Sequence, residues 1–223
     1  MNVEIVKRLI SSIILLPLSV YIVIEGSYKF IFLIIICLFI SIYEWQKMIL
    51  KNYIKILGIF FLIFSFYTIF ELRISFNNEY FPFMVILLIC ILTDIGGYIF
   101  GKIFKGPKLT KYSPNKTYAG MFGGYFLCLI LFLICIKLNL INKNNLINSF
   151  IFFFLVSSVS QLGDIMISLF KRLSKIKDTG KILPGHGGIL DRIDGIIFAI
   201  PSIYYLNTYF IPKLYAGGIV WWF

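Results

Sequence analysis

Residues Phe81–Phe100 read FPFMVILLICILTDIGGYIF, twenty consecutive positions with a single charge, Asp94. A helix of about 20 apolar residues spans the hydrocarbon core of a bilayer. Six further apolar runs lie at about residues 9–24, 30–45, 54–70, 119–140, 150–170 and 193–211. The first two are the shortest. Over the whole chain 60% of residues are hydrophobic and 14% charged. A soluble domain has about 45–50% apolar and about 25% charged residues, so this chain has too little polar surface to cover its core in water. The expected fold class is therefore all-α: a polytopic transmembrane helix bundle of about seven spans, one integral membrane domain over residues 1–223. Lys7-Arg8 before the first run has the look of a signal peptide, but no A-x-A-like site follows, so an uncleaved first span is expected.

The net charge is +11. The basic residues sit in loops between apolar spans, a placement that argues against nucleic-acid binding and for membrane topology or a phosphate-rich ligand. With the N-terminus cytoplasmic, 16 of the 21 basic residues fall in inside segments; Lys29, Arg73, Lys137, Lys143 and Lys213 fall outside. That bias predicts N-in, C-out with an odd number of spans. The loops at about 101–118 and 171–192 carry 11 of the 16, more than topology needs, and are candidates for phosphate binding. Cys37, Cys90, Cys128 and Cys135 all lie in apolar runs with no C-x-x-C pair and read as packing residues. Trp221-Trp222-Phe223 reads as an outer interfacial anchor.

Carboxylates inside a membrane cost at least about 2.5–3.5 kcal/mol, and usually face a cavity and do work. Asp94 in the fourth run and Asp164 in the sixth each lie about six residues before the inner end of their span, roughly 9 Å deep at ~1.5 Å per residue. Asp191 and Asp194 open the seventh run at i, i+3, on one helix face. Four carboxylates thus collect at one depth beside two basic loops. Oxygen donors of this kind suit Mg²⁺, and a nucleoside triphosphate with its Mg²⁺ is a partner that both loops and carboxylates would share.

The segment Gln161–Gly195 reads QLGDIMISLFKRLSKIKDTGKILPGHGGILDRIDG. Asp164 and Ser168 stand one above the other at i, i+4, and Lys171 and Arg172 continue that face into a loop. Glycines at 180, 185, 187 and 188 allow close approach of backbone to a ligand, and successive N–H groups in such a loop make an anion-binding concavity. There is no GKS or GKT, so it is not a Walker A loop. His186, the only histidine, lies among these glycines and is expected to touch phosphate or pyrophosphate.

The pattern Ser168-x-x-Lys171-Arg172, Lys177-Asp178-x-Gly180, Leu183-Pro184-x-His186-Gly187-Gly188, Asp191-Arg192-x-Asp194 resembles the signature of the phosphatidate cytidylyltransferase (CDP-diacylglycerol synthase) family. Thr93-Asp94-Ile95-Gly96-Gly97-Tyr98 and Ser113-Pro114-Asn115-Lys116-Thr117-Tyr118-Ala119-Gly120 are similar to two upstream elements of that family, so residues 93–195 form the expected catalytic core. Ala119 departs from it, for the family usually has Glu there. The resemblance implies that CTP and phosphatidate react to CDP-diacylglycerol and pyrophosphate at the cytoplasmic edge of a bacterial-type inner membrane. It implies one or two divalent ions, Mg²⁺ foremost, on Asp164, Asp191 and Asp194. Lys171, Arg172, Lys177, Asp178, His186 and Arg192 are the implied catalytic residues; Lys116, Ser168, Gly185, Gly187, Gly188 and Asp94 are the implied substrate contacts. A homodimer is implied on the same ground. Two other readings compete: another CTP-dependent lipid enzyme, such as a polyprenol kinase, and a cation transporter lined by Asp94 and Asp164. A cation pore gains nothing from a basic, glycine-rich loop.

Overall fold

The computed structural model describes residues 15, 17–49, 51–75, 80–110, 113, 116–141, 146–182 and 187–206. Among these residues the chain is helical apart from turns, loops and isolated bridges: α1 (Ser27–Met48), α2 (Asn52–Ser75), α3 (Phe81–Phe104), α4 (Tyr118–Lys137), α5 (Leu146–Leu173), α6 (Leu190–Ile193) and α7 (Ile196–Tyr205). Helices α1 to α5 are each long and apolar enough to cross a membrane. Five of the seven expected runs therefore appear as candidate spans. The run at 30–45 is not short in the structure, because Ser27–Lys29 and Gln46–Met48 extend it to 22 residues. The run at 9–24 is described only at 15 and 17–24, helical there. The run at 193–211 yields the ten-residue α7, with residues 207–211 outside the described part.

The packing fits lipid as solvent. Phe32, Phe39, Phe60, Phe122 and Leu162 are exposed, whereas Ser41, Ser65, Thr68, Thr93, Ser149, Ser157 and Ser160 are buried. Without water there is no hydrophobic force between helices, so small and hydroxylated residues line the contacts.

The chain divides into two compact units, Met1–Phe81 with Leu169–Asp194, and Pro82–Ser168 with Gly195–Phe223. In the first, Trp45 of α1 donates Nε1–H to Lys55 O at 3.2 Å and sets its ring edge-on to Phe170, 5.1 Å between centroids. Its indole fills the space beside Gly58 of α2, where a Cβ has no room. Buried Arg73 of α2 donates to Val23 O (3.1 Å) and Ile24 O (3.4 Å), satisfying carbonyls at the end of the helical stretch 17–25 where the chain turns at Gly26, φ +67°.

In the second unit α3 and α4 meet along glycines. A methyl group on Gly120 would stand 2.6 Å from Gly97 O, and one on Gly124 would stand 2.9 Å from Thr93 O. Gly97-x-x-x-Gly101 and Gly120-x-x-x-Gly124 are the small-residue spacing that lets membrane helices approach backbone to backbone. The α3–α4 connection is clipped by a bridge between Lys108 and Thr117, with Leu109 N–H donating to Lys116 O at 2.8 Å. Thr117 then caps α4, accepting from Gly120 N–H at 3.1 Å. Lys116 is thereby fixed at the start of a spanning helix.

Candidate active site

Three separate stretches of the second unit converge on a cavity of about 230 Å³. Its lining includes Thr93, Asp94 and Gly97 of α3, Lys116 and Thr117 before α4, and Gln161 and Asp164 of α5. Lys116 forms a salt bridge to Asp164 Oδ2, each side chain 24% exposed. Ser168, one turn further along α5, donates to Asp164 Oδ1 at 3.3 Å. The Nε2 of Gln161, a residue lining the cavity, is buried without a protein partner. The cavity therefore offers an ammonium, two carboxylates, an amide and hydroxyls, the carboxylates lying within long apolar helices.

A second cluster lies in the first unit, around the chain that follows α5. Asp191 of α6 accepts from Lys171 Nζ at 2.8 Å through Oδ1. Its Oδ2 accepts from Thr179 N–H (2.8 Å) and Gly188 N–H (3.1 Å), and lies 3.0 Å from Thr179 Oγ1. Burial alone pushes this carboxyl up, but the Lys171 ammonium and the two amides outweigh it and hold the group below the ordinary aspartate value. Gly187 has φ +85°, a conformation L side chains rarely adopt, and a Cβ there would stand 3.0 Å from Asp191 Oδ2.

Glu44 of α1 enters the same cluster, 1% exposed. Its Oε1 accepts from Ile189 N–H (3.0 Å), and its Oε2 from Leu190 N–H (2.9 Å) and Thr179 Oγ1–H (3.0 Å). The first amides of a helix lack intrahelical partners, and Ile189 makes no cap bond of its own; Glu44 takes that place for α6. A Cβ on Gly180 would come 2.5 Å from Glu44 Oε1, and a Cβ on Gly188 would collide with Thr179 and Glu44. These two glycines are thus required by a carboxylate of the protein itself, whereas the sequence suggests a ligand. Lys177 and Asp178 line a more open hollow of about 440 Å³ with Lys47, Gly180 and Lys181. Arg172 is exposed and donates to Ile176 O at 3.3 Å, closing the end of α5. Arg192 is exposed on α6, and Asp194 is buried just beyond it. Gly185 and His186 lie outside the described residues.

The expected site residues thus fall into two groups. Asp94, Lys116, Asp164 and Ser168 belong to the second unit; Lys171, Arg172, Lys177, Asp178, Gly187, Gly188, Asp191, Arg192 and Asp194 belong to the first. Sequence reading passes over Glu44, Thr179 and Gln161. Glu44 carries a usable sign, an acid near the end of an apolar run; Thr179 and Gln161 carry none beyond their place within the 161–195 segment.

The donor set bears on a metal. Among the described residues no group of three or more His, Cys, Asp or Glu side chains could hold one. Mg²⁺ characteristically takes one or two carboxylates and completes its shell with water and substrate phosphates. Asp164 and Asp94 on the cavity fit such an ion, arriving with phosphate.

Comparison with known proteins bears on the whole chain. A family model described as the cytidylyltransferase family matches residues 55–210. A Rickettsia conorii protein named phosphatidate cytidylyltransferase is 32% identical over 211 residues, 91% of this chain and 90% of its own length. Proteins of that name from Staphylococcus epidermidis and Staphylococcus aureus are 44% and 46% identical over 117 residues, 52% of this chain. That match spans 45% of each staphylococcal protein, so the chain covers about half the length of these relatives. With most of its length matched by the model and nearly all of it by the rickettsial relative, the chain belongs to the cytidylyltransferase family.

Proposed function

We propose that this integral membrane protein joins CTP to phosphatidate, forming CDP-diacylglycerol and pyrophosphate. The observation that carries the reading is the convergence of Asp94, Lys116 and Asp164, from three separate elements, on one cavity. A phosphate oxygen of phosphatidate attacks the α-phosphorus of CTP, the bond to the β-phosphate oxygen breaks, and pyrophosphate leaves. Both reactants are anions, so the protein's task is positioning and charge neutralisation. Lys116 and Lys171 each rest on a carboxylate, and each ammonium is available to phosphate once another cation takes that carboxylate. One or two divalent ions, for which Asp164 in the one unit and Asp191 and Asp194 in the other are each proposed ligands, would supply that second cation and draw charge from the phosphates. Ser168 orients Asp164. Arg172, Lys177 and Arg192 add positive charge for the substrate phosphates. Asp178, His186 and the loop glycines 185, 187 and 188 complete the proposed contacts. The bias of basic residues supports a site on the cytoplasmic face, where CTP is dissolved and phosphatidate is held in the leaflet.

Purified protein with phosphatidate, Mg²⁺ and CTP labelled at the α-phosphate is expected to place label in the lipid extract, and γ-labelled CTP none. Transfer of γ-label would instead make the chain a CTP-dependent lipid kinase. Asp191→Asn is expected to lower the rate at least about 10²-fold, because charge at the phosphates is worth several kcal/mol.

A further inference from the structure

We infer that Glu44 is a positioning residue for this reaction: its buried carboxylate holds Thr179 and the start of α6 at Ile189 and Leu190, and thereby sets Asp191 and Lys171. No part of the signature contains it, and it precedes residue 55, where the family match begins. The inference rests on the proposed reaction only for its kinetic consequence; the loop contacts stand by themselves.

The loop is held by two carboxylates, one on each side of a shared hydroxyl. Thr179 Oγ1 lies 3.0 Å from Glu44 Oε2 and 3.0 Å from Asp191 Oδ2. Asp191 gathers the amides of Thr179 and Gly188, and Glu44 those of Ile189 and Leu190. Both ends of the loop are tied by four amides, with Thr179 as the bridge. Glu44 brings α1, a spanning helix more than a hundred residues away in sequence, into this arrangement. A charged side chain 1% exposed, received by one hydroxyl and two amides, is costly to bury and is retained where its geometry is needed. It also dictates sequence, since any side chain at Gly180 or Gly188 would invade its place. Being buried, Glu44 acts through Thr179 and Asp191 and not on the substrate.

The test uses the full chain in lipid nanodiscs, native and as Glu44→Ala, Glu44→Gln, Thr179→Val and Thr179→Ser. Limited trypsin digestion, mapped by mass spectrometry, reads the loop at Lys177 and Lys181 and compares it with Lys105 and Lys108 between α3 and α4. Glu44→Ala leaves the amides of Ile189 and Leu190 unmet and removes the bridge through Thr179, and is expected to speed loop cleavage about tenfold or more, with the control sites unchanged. Glu44→Gln keeps an acceptor at one end only and falls between. Thr179→Val behaves as Glu44→Gln, and Thr179→Ser, which keeps the hydroxyl, returns the native pattern. In CDP-diacylglycerol synthesis the Glu44 variants are expected to lose about tenfold in kcat with KM for CTP nearly unchanged, because Glu44 does not touch CTP. Native cleavage and native kcat in both Glu44 variants would overturn the inference. So would loss at loop and control sites alike in Glu44→Gln and Thr179→Val, which marks a general packing role. If the native chain makes no CDP-diacylglycerol, the proposed reaction fails while the digestion still decides the loop's dependence on Glu44.

Discussion

Asp164 and Asp191 both carry a lysine, yet their surroundings differ in kind. Asp164 has one ammonium and one hydroxyl and opens on a cavity beside Asp94 and the unpartnered amide of Gln161. Asp191 has an ammonium, two amides and a hydroxyl, and its side chain is 7% exposed. One carboxylate is under-satisfied and accessible, the arrangement of a group that waits for a ligand. The other is already bonded by its own chain, so it orders the loop whether or not an ion joins it. Substitution should separate the two, with activity alone lost in the cavity, and activity and local order lost together in the loop.

The largest expected effect lies in the cavity. Asp164→Asn should lower kcat/KM by about 10²–10³-fold in the labelled-CTP assay, since it removes a charge aimed at phosphate or its metal. Its thermal midpoint should stay near native, because partly exposed ion pairs contribute only about 0–1 kcal/mol. A collapse of the fold in Asp164→Asn would erase the distinction between the two sites. Lys116→Met should fall by a comparable factor. The double variant should lose less than the product of the two, because the residues form one pair.

Next comes Gly188→Ala, a change of one methyl group. Its Cβ meets Thr179 and Glu44, so the loop must shift. Overpacking of this kind costs about 1–3 kcal/mol. The expected result is roughly a tenfold loss of kcat together with faster trypsin cleavage at Lys177 and Lys181. In the cavity unit, Gly97→Ala should leave cleavage at Lys177 and Lys181 at the native rate, because its Cβ would lie 3.8 Å from Gly120 O, an ordinary contact.

The contrast between the two sites was legible in the sequence only on one side. Hydropathy located the helices from Asn52 onward to within a few residues, because a span must satisfy its backbone internally and cannot be much shorter than the bilayer. An isolated acid in an apolar run marked Asp94 and Asp164, and both line the cavity. Lys116 came from its motif. The loop was harder to read. Its glycines suggested space for a ligand, but Gly180 and Gly188 make room for Glu44, a contact 136 to 144 positions away that no local pattern encodes. Thr179 looks like an ordinary turn residue, and its bridging of two carboxylates exists only once α1 and the loop are packed. Of the seven expected runs, five are candidate spans, and those at 9–24 and 193–211 are only partly among the described residues.

The smallest effect is one of pH, and its flatness is the point. Asp191 is held below the ordinary aspartate value by Lys171 and the amides of Thr179 and Gly188, against the opposing push of burial. A group whose folded value is depressed contributes stability that is fully present above its unfolded value and is lost as pH falls through the folded one. The stability difference between native protein and Asp191→Asn should therefore be constant from pH 8 to pH 5, within about 0.5 kcal/mol, because the native carboxylate stays ionised throughout. It should begin to shrink only below the ordinary carboxylate range, near pH 4. Thermal unfolding of both proteins across this range is the measurement. A difference that fades between pH 7 and pH 5 would mean that Asp191 takes up its proton in the physiological range. The loop would then be no better satisfied than the cavity, and the contrast drawn between Asp164 and Asp191 would fail.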